Sequence, residues 1–180
     1  RRIEVALRPV PVPAVTVDGT GIAPSALPQL LATPGHVTIA DFFYTRCKTV
    51  CLTLGSSFAQ LQAALAQDNP GVQLLSISFD GGHDTPNILR HYARPLGADP
   101  AIWRFARVAD PTEQAALLRQ LGVVVNPDGL GDYEHNAALL VFDAQGRMVR
   151  VFDLAEQDLA LNYARHLARQ AQHPSAQGAV

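Results

Sequence analysis

The stretch Val37-Thr38-Ile39-Ala40-Asp41-Phe42-Phe43-Tyr44-Thr45 runs directly into Arg46-Cys47-Lys48-Thr49-Val50-Cys51. From Leu54 the apolar residues change spacing, to Leu54, Phe58, Leu61 and Leu65. The first part is nearly uncharged and rich in β-branched and aromatic residues, which fits a strand buried on both faces of a sheet, with Asp41 its one discordant residue. The second part has helical intervals and ends at Asp68-Asn69-Pro70-Gly71. A strand therefore leads into a helix, and the two cysteines of the chain sit at the junction.

Downstream the alternation continues. Val72 to Phe79 reads as a second strand, and Thr85-Pro86 supplies a cap followed by proline at the first helical position, with Ile88, Leu89, Tyr92 and Leu96 on one face. Ile102 to Val108 reads as a third strand, and Asp110-Pro111 opens a helix that Gly122 closes. Residues 123–136 have the chemistry of a long loop. Ala137 to Phe142 and Met148 to Phe152 then form a hairpin around Asp143-Ala144-Gln145-Gly146, and a last helix spans about Ala155 to Ala171. Upstream, Val15-Thr16-Val17 before Asp18-Gly19 predicts a short strand and turn, and Ala26 to Leu31 a helical turn broken by Pro34-Gly35. This order predicts an α/β sandwich with a mixed central sheet, in the thioredoxin-like arrangement. Residues 1–14, with Pro9, Pro11 and Pro13, are expected to be an extended linker. The folded domain is expected over 15–172 and a flexible tail over 173–180.

Composition narrows the function classes. The chain has 180 residues, 48% hydrophobic and 17% charged, with a formal net charge of -2, so it is long enough to bury its own core and offers no basic footprint for nucleic acid. Apolar runs fall far short of the roughly 20 residues a membrane helix needs. The chain begins at Arg1 rather than methionine, from which a preceding leader or anchor is expected. Two cysteines exclude a four-thiolate zinc or iron–sulfur site, so a metal held by them takes its other ligands from histidine or carboxylate.

A cysteine at a helix N-terminus feels unpaired N–H groups and the positive dipole end, and Arg46 and Lys48 push its pKa in the same downward direction. The thiolate is both the nucleophile of disulfide exchange and the metal-binding form, so this setting serves redox and metal chemistry equally. On a helix, residues four apart share a face and both sulfurs would point to one site. Simple stapling explains little, because a five-residue loop contributes only about 2 kcal/mol. A third ligand must come from elsewhere. In a thioredoxin-like sheet the loop before the hairpin packs on the cysteine pair, which makes His135 in Asp132-Tyr133-Glu134-His135 the histidine placed to reach both sulfurs. Two thiolates and an imidazole form a soft, three-coordinate set that suits copper(I) better than zinc, which wants a fourth ligand. Glu134 is a candidate to orient the imidazole. His36, His83, His91, His166 and His173 read as solvated, with His83 beside Asp84 a weak copper(II) candidate.

The run Asp41 to Cys51, then Ser78-Phe79-Asp80-Gly81-Gly82-His83-Asp84-Thr85-Pro86, then Asp132-Tyr133-Glu134-His135 before a strand, resembles the Sco/SenC family of thioredoxin-like copper proteins. The resemblance covers roughly residues 15–170. It implies that Cys47 and Cys51 are copper-binding thiols able to close to a disulfide, and that His135 is the third ligand. It also implies a metallochaperone role in assembling the dinuclear copper site of cytochrome c oxidase, with subunit II or another periplasmic copper protein as acceptor. A periplasmic location, anchored at the outer face of the inner membrane in the full-length protein, goes with it. Asp80 and Asp84 match the acidic positions of the family's second motif, and Asp84 also reads as a cap on the turn into the helix at Pro86. Lys48 and Leu52 stand where the family commonly has proline. The alternative is a thiol–disulfide oxidoreductase or redox sensor working through the same cysteine pair. A peroxidase is disfavoured, because no Pro-x-x-x-Thr-x-x-Cys run precedes Cys47.

Overall fold

A strand that is apolar on both faces must lie inside a sheet covered on both sides, and the strand leading to the cysteines does. In the computed structural model, which describes residues 8–173, the chain runs β1 (Thr16–Gly19), β2 (Ile22–Ala26), α1 (Leu27–Leu31), β3 (Val37–Phe43), α2 (Val50–Gln67), β4 (Val72–Ser78) and α3 (Pro86–Ala93). It continues β5 (Trp103–Val108), α4 (Pro111–Leu121), β6 (Val125–Pro127), β7 (Tyr133–His135), β8 (Ala138–Phe142), β9 (Met148–Asp153), a 3-10 turn (Leu154–Glu156) and α5 (Gln157–Gln172). Seven strands make one sheet in the order β2-β1-β5-β4-β3-β8-β9. β3, β4 and β5 are parallel, while β1, β8 and β9 run antiparallel to their neighbours, so the sheet is mixed as expected.

β3 is buried at all seven positions, between β4 and β8. Its carboxyl end delivers the cysteine segment to α2, which packs beside α5 against β3. Phe58, fully buried on α2, meets Trp103 of β5 with ring centroids 5.7 Å apart, and the Trp103 indole donates to Ser76 Oγ at 3.0 Å. The far end of α2 is held by Arg165, which donates to the carbonyls of Ala64 and Asp68 at 2.9 Å each. A cation there also complements the negative end of the helix dipole.

Three local readings differ from the structure. The first turn lies at Thr20-Gly21, not Asp18-Gly19. β1 continues through Gly19 because a Cβ there would sit 1.9 Å from the Phe105 carbonyl oxygen, so only glycine lets β1 close on β5. Gly21 takes the positive φ of 64° that the turn requires. Second, α2 begins at Val50, so Cys51 lies in its first turn and Cys47 in the preceding loop; the pair does not share a helical face. Third, residues 123–136 are not simply loop. β6 and β7 pair as a small separate hairpin, with Val125 opposite His135, turned by Asp128 Oδ1, which accepts from the N–H groups of Leu130 and Asp132.

The described part of the proline-rich segment lies along the sheet edge, where Val10 and Met148 exchange both backbone hydrogen bonds at 2.8–2.9 Å. Residues 1–7 and 174–180, including most of the expected tail, lie outside the described residues. Because Phe58 fixes α2 to the sheet through Trp103, Phe58→Ala is expected to destabilise the domain by about 3–5 kcal/mol in urea unfolding, a large-to-small cavity loss.

Candidate metal and thiol site

Beyond β3 the chain turns sharply, with the Cys47 N–H donating to the Tyr44 carbonyl at 3.2 Å. Side chains from the β4–α3 connection hold this turn. The Asp84 carboxylate, with no solvent exposure, accepts from the Thr45 N–H at 3.0 Å, Thr45 Oγ1 at 2.5 Å and Ser78 Oγ at 2.6 Å, and lies 2.9 Å from His83 Nδ1. Asp84 thus reaches back to Thr45 and Ser78 instead of capping the turn into α3, and Thr85 caps that helix as expected by accepting from the Ile88 N–H. The Arg46 guanidinium forks onto one oxygen of Asp80, at 2.6 and 3.1 Å. Residues 45 and 46, immediately before Cys47, are therefore both anchored to the same connection.

Both cysteines are reduced and buried, Cys51 completely. Their thiols are driven apart. Burial raises the Cys47 thiol, but hydrogen bonds from the Cys51 thiol and from the N–H groups of Thr49 and Cys51 outweigh it and hold the pKa below the ordinary thiol value. Burial pushes the Cys51 thiol well up, and its donation to Cys47 adds to this. The expected acidification by N–H groups at the helix start holds for Cys47, while Cys51 shifts the other way. The flanking cations do not supply it, because Arg46 is paired with Asp80 and Lys48 is exposed.

His135, the last residue of β7, brings Nε2 to 3.4 Å from Cys51 Sγ, and the ligand atoms of Cys47, Cys51 and His135 all lie within 4.8 Å of one another. The imidazole meets the Phe79 ring edge to face at 4.9 Å, and Tyr44 at 6.3 Å. Burial lowers its pKa, favouring the neutral ring that a metal ligand must be. Nδ1 is buried and without a hydrogen-bond partner among the described residues. Glu134 does not orient it; that side chain sits on the exposed side of the strand. The sequence reading missed the surrounding aromatic wall of Tyr44, Phe79 and Tyr133, because each looked like ordinary strand or loop composition.

The remaining histidines stay apart from the thiols. His36 and His91 bond nearby carbonyls, at 3.0 and 2.8 Å, and His166 and His173 are exposed. Asp80, His83 and Asp84 form a second group of ligand-type atoms, but Arg46 already occupies Asp80 and the Asp84 oxygens are taken up by Thr45, Ser78 and His83.

Beneath Cys51 lies Asp41, the discordant strand residue. It is buried, its Oδ1 has no hydrogen-bond partner among the described residues, and it lines a cavity of about 10 Å³ with Cys51, Ser76 and Trp103. Burial pushes its carboxyl from 3.8 up to about 7.

With this geometry the comparisons are decisive. The family model described as SCO1/SenC matches residues 32–171. The chain belongs to the SCO1/SenC family. A SCO1 protein homolog of Bacillus subtilis is 27% identical over 124 residues, 68% of this chain and 64% of that protein's length, so the chain spans less than two thirds of this curated relative. Among solved structures, Bradyrhizobium japonicum ScoI with copper bound is 25% identical, with a TM-score of 0.69 over 86% of this chain and 99% of that one. BsSco, described as a member of the Sco family of cytochrome c oxidase assembly proteins with a disulfide switch, is 21% identical, with a TM-score of 0.76 over 89% of this chain and 95% of that one. The thioredoxin-like fold is thereby established, and copper is bound in structures of this SCO1/SenC family.

Two stability experiments probe the supports of the site. Asp84→Ala leaves the Thr45 and Ser78 donors unpaired and is expected to cost about 3 kcal/mol in urea unfolding. For Asp41, the folded carboxyl holds its proton up to about pH 7 while the unfolded chain releases it near 3.8, so the native state binds the extra proton between these values. Its stabilising contribution is full below about pH 4 and lost as pH rises through 7. Asp41→Asn, which mimics the protonated acid, is expected to leave stability unchanged at pH 4 and to raise it at pH 8, by at most about 4 kcal/mol.

Proposed function

We propose that this SCO1/SenC protein is a metallochaperone that binds one copper ion through the Cys47 and Cys51 thiolates and His135 Nε2. Copper here is cargo. The observation that carries the reading is the convergence of two sulfurs and one imidazole nitrogen within 4.8 Å, from two segments 84 residues apart. Two soft thiolates with one imidazole suit copper(I), which accepts low coordination, whereas a structural zinc would need a fourth ligand that this group lacks. The family's oxidase-assembly relative supports an acceptor at the dinuclear copper site of cytochrome c oxidase subunit II, or in another periplasmic copper protein, reached by ligand exchange. A location in the periplasm or at the outer face of the inner membrane, with an anchor in the full-length protein, belongs to the same reading. Among the described residues no helix is long and apolar enough to cross a membrane.

A second activity is favoured by the polarised thiols. Cys47, more acidic and slightly exposed, is suited to attack a disulfide sulfur, forming a mixed disulfide and releasing one thiolate. Cys51 then gives up its proton and attacks Cys47 Sγ, closing the 47–51 disulfide and releasing the second thiol, so two electrons pass to the substrate. Thiol–disulfide exchange and copper binding use the same two sulfurs and exclude each other on one molecule.

Copper(I) titration of the reduced protein against a competing chelator is expected to give one ion per chain, with affinity falling at least about tenfold in His135→Ala, roughly 1.4 kcal/mol. A stoichiometry far from one, or affinity indifferent to His135→Ala, would overturn the metal reading. Exchange with a model disulfide that persists in Cys47→Ser would overturn the thiol assignment.

A further inference from the structure

The residue that joins the two halves of the site is Tyr44. Cys47 stands on the connection from β3 and Cys51 in the first turn of α2, whereas His135 rides on β6–β7, a two-stranded sheet of its own. An isolated two-stranded hairpin is marginal in water, so its position must be fastened from outside. Tyr44, buried to 2% exposure at the end of β3, does this in two ways. Its hydroxyl donates to Asp132 Oδ1 at 3.0 Å and accepts from the Tyr133 N–H at 3.2 Å, so both partners lie where β7 begins. Its ring packs edge to face on Tyr133 at 5.2 Å and tilted on Phe79 at 5.0 Å, and Phe79 in turn meets both Tyr133 and the His135 imidazole. Tyr44 stands three residues before Cys47 and Asp132 three before His135, so the hydroxyl contact links the two ligand-bearing segments.

We infer that Tyr44, through its hydroxyl and Asp132, is a positioning residue that holds the His135 hairpin in register with the two cysteines and so sets the copper affinity of the site. The inference rests on the reading of His135 as a ligand. Tyr44 is not itself a ligand. It acts by keeping the hairpin closed, so that the population with His135 over the sulfurs is high before any ion arrives, and loss of that population lowers apparent affinity in proportion.

Tyr44→Phe keeps the ring and removes only the hydroxyl. It is expected to weaken copper affinity about tenfold, the low end for a hydrogen bond to a partly exposed carboxylate, and to diminish the imidazole nitrogen coupling in the electron paramagnetic resonance spectrum of the copper(II)-loaded protein. Asp132→Ala should match it, while Asp132→Asn, which keeps the acceptor oxygen, should stay near the unsubstituted protein. In a His135→Ala background Tyr44→Phe should cause no further loss. An equal loss in that background, or no rescue by Asp132→Asn, would overturn the inference. Amide hydrogen exchange at Val125, Asn126, Glu134 and His135 gives a readout independent of copper, and Tyr44→Phe should speed it about tenfold with no change at the β3–β4 pairing. Unchanged exchange would overturn the latch even if copper binds. If the unsubstituted protein takes up no copper while exchange accelerates as expected, the metal reading fails and the latch stands.

Discussion

The Asp84 carboxylate connects pieces of chain that the sequence keeps far apart, and the site depends on it. It is fully buried, yet it has donors at both oxygens: a backbone N–H and a hydroxyl of Thr45, the hydroxyl of Ser78 and the ring of His83. A buried carboxylate without such partners would be too costly to keep charged, and with them it fixes the geometry of everything it touches. Thr45 precedes Cys47 by two residues, so the orientation of the Cys47 loop is inherited from this clamp. Arg46 on Asp80 and Arg107 reaching both Asp18 and the Gly81 carbonyl extend the same bracing across the β4–α3 connection to the N-terminal hairpin.

On that rigid base the thiols acquire different characters. Cys47 sits at the rim with sulfur and amide donors directed at it, and Cys51 sits deeper, over Asp41 and apolar rings. One thiol is therefore prepared to be a thiolate and the other to remain protonated until something takes its proton. A soft cation arriving between them and a disulfide partner arriving at Cys47 make the same first demand, a thiolate at the rim. That shared demand explains how one pair of sulfurs serves a copper-binding family that also includes a disulfide switch. On the proposed reading His135 discriminates between the two uses, because its Nε2, 3.4 Å from Cys51 Sγ, would add a ligand for a metal and would contribute no electrons to a disulfide.

Much of this was legible from local pattern. The continuous apolar run at 37–45, the helical interval from Leu54 and the capping residues at Thr85 and Asp110 each report a nearest-neighbour constraint, and the structure follows them within a few residues. The errors arose where distant chain intervened. Gly19 reads as a turn residue until the Phe105 carbonyl is seen against it, and residues 123–136 read as loop because three-residue strands leave too little alternation to register. Asp84 reads as a cap on the turn into α3 because nothing nearby hints at Thr45, 39 residues earlier.

The sequence by itself determined that two cysteines stand together where a buried strand turns into a helix, and that His135 precedes the last hairpin. Those facts depend on spacing and composition along a few residues. The tertiary structure alone decided that Cys47 is the acidic thiol and Cys51 the more deeply buried one, that Arg46 pairs with Asp80 instead of the sulfurs, and that Tyr44 hydrogen-bonds the start of the His135 strand. The physical reason is that pKa, ion pairing and ligand convergence are set by which groups lie within a few ångströms in space, and here the partners come from segments up to 89 residues apart.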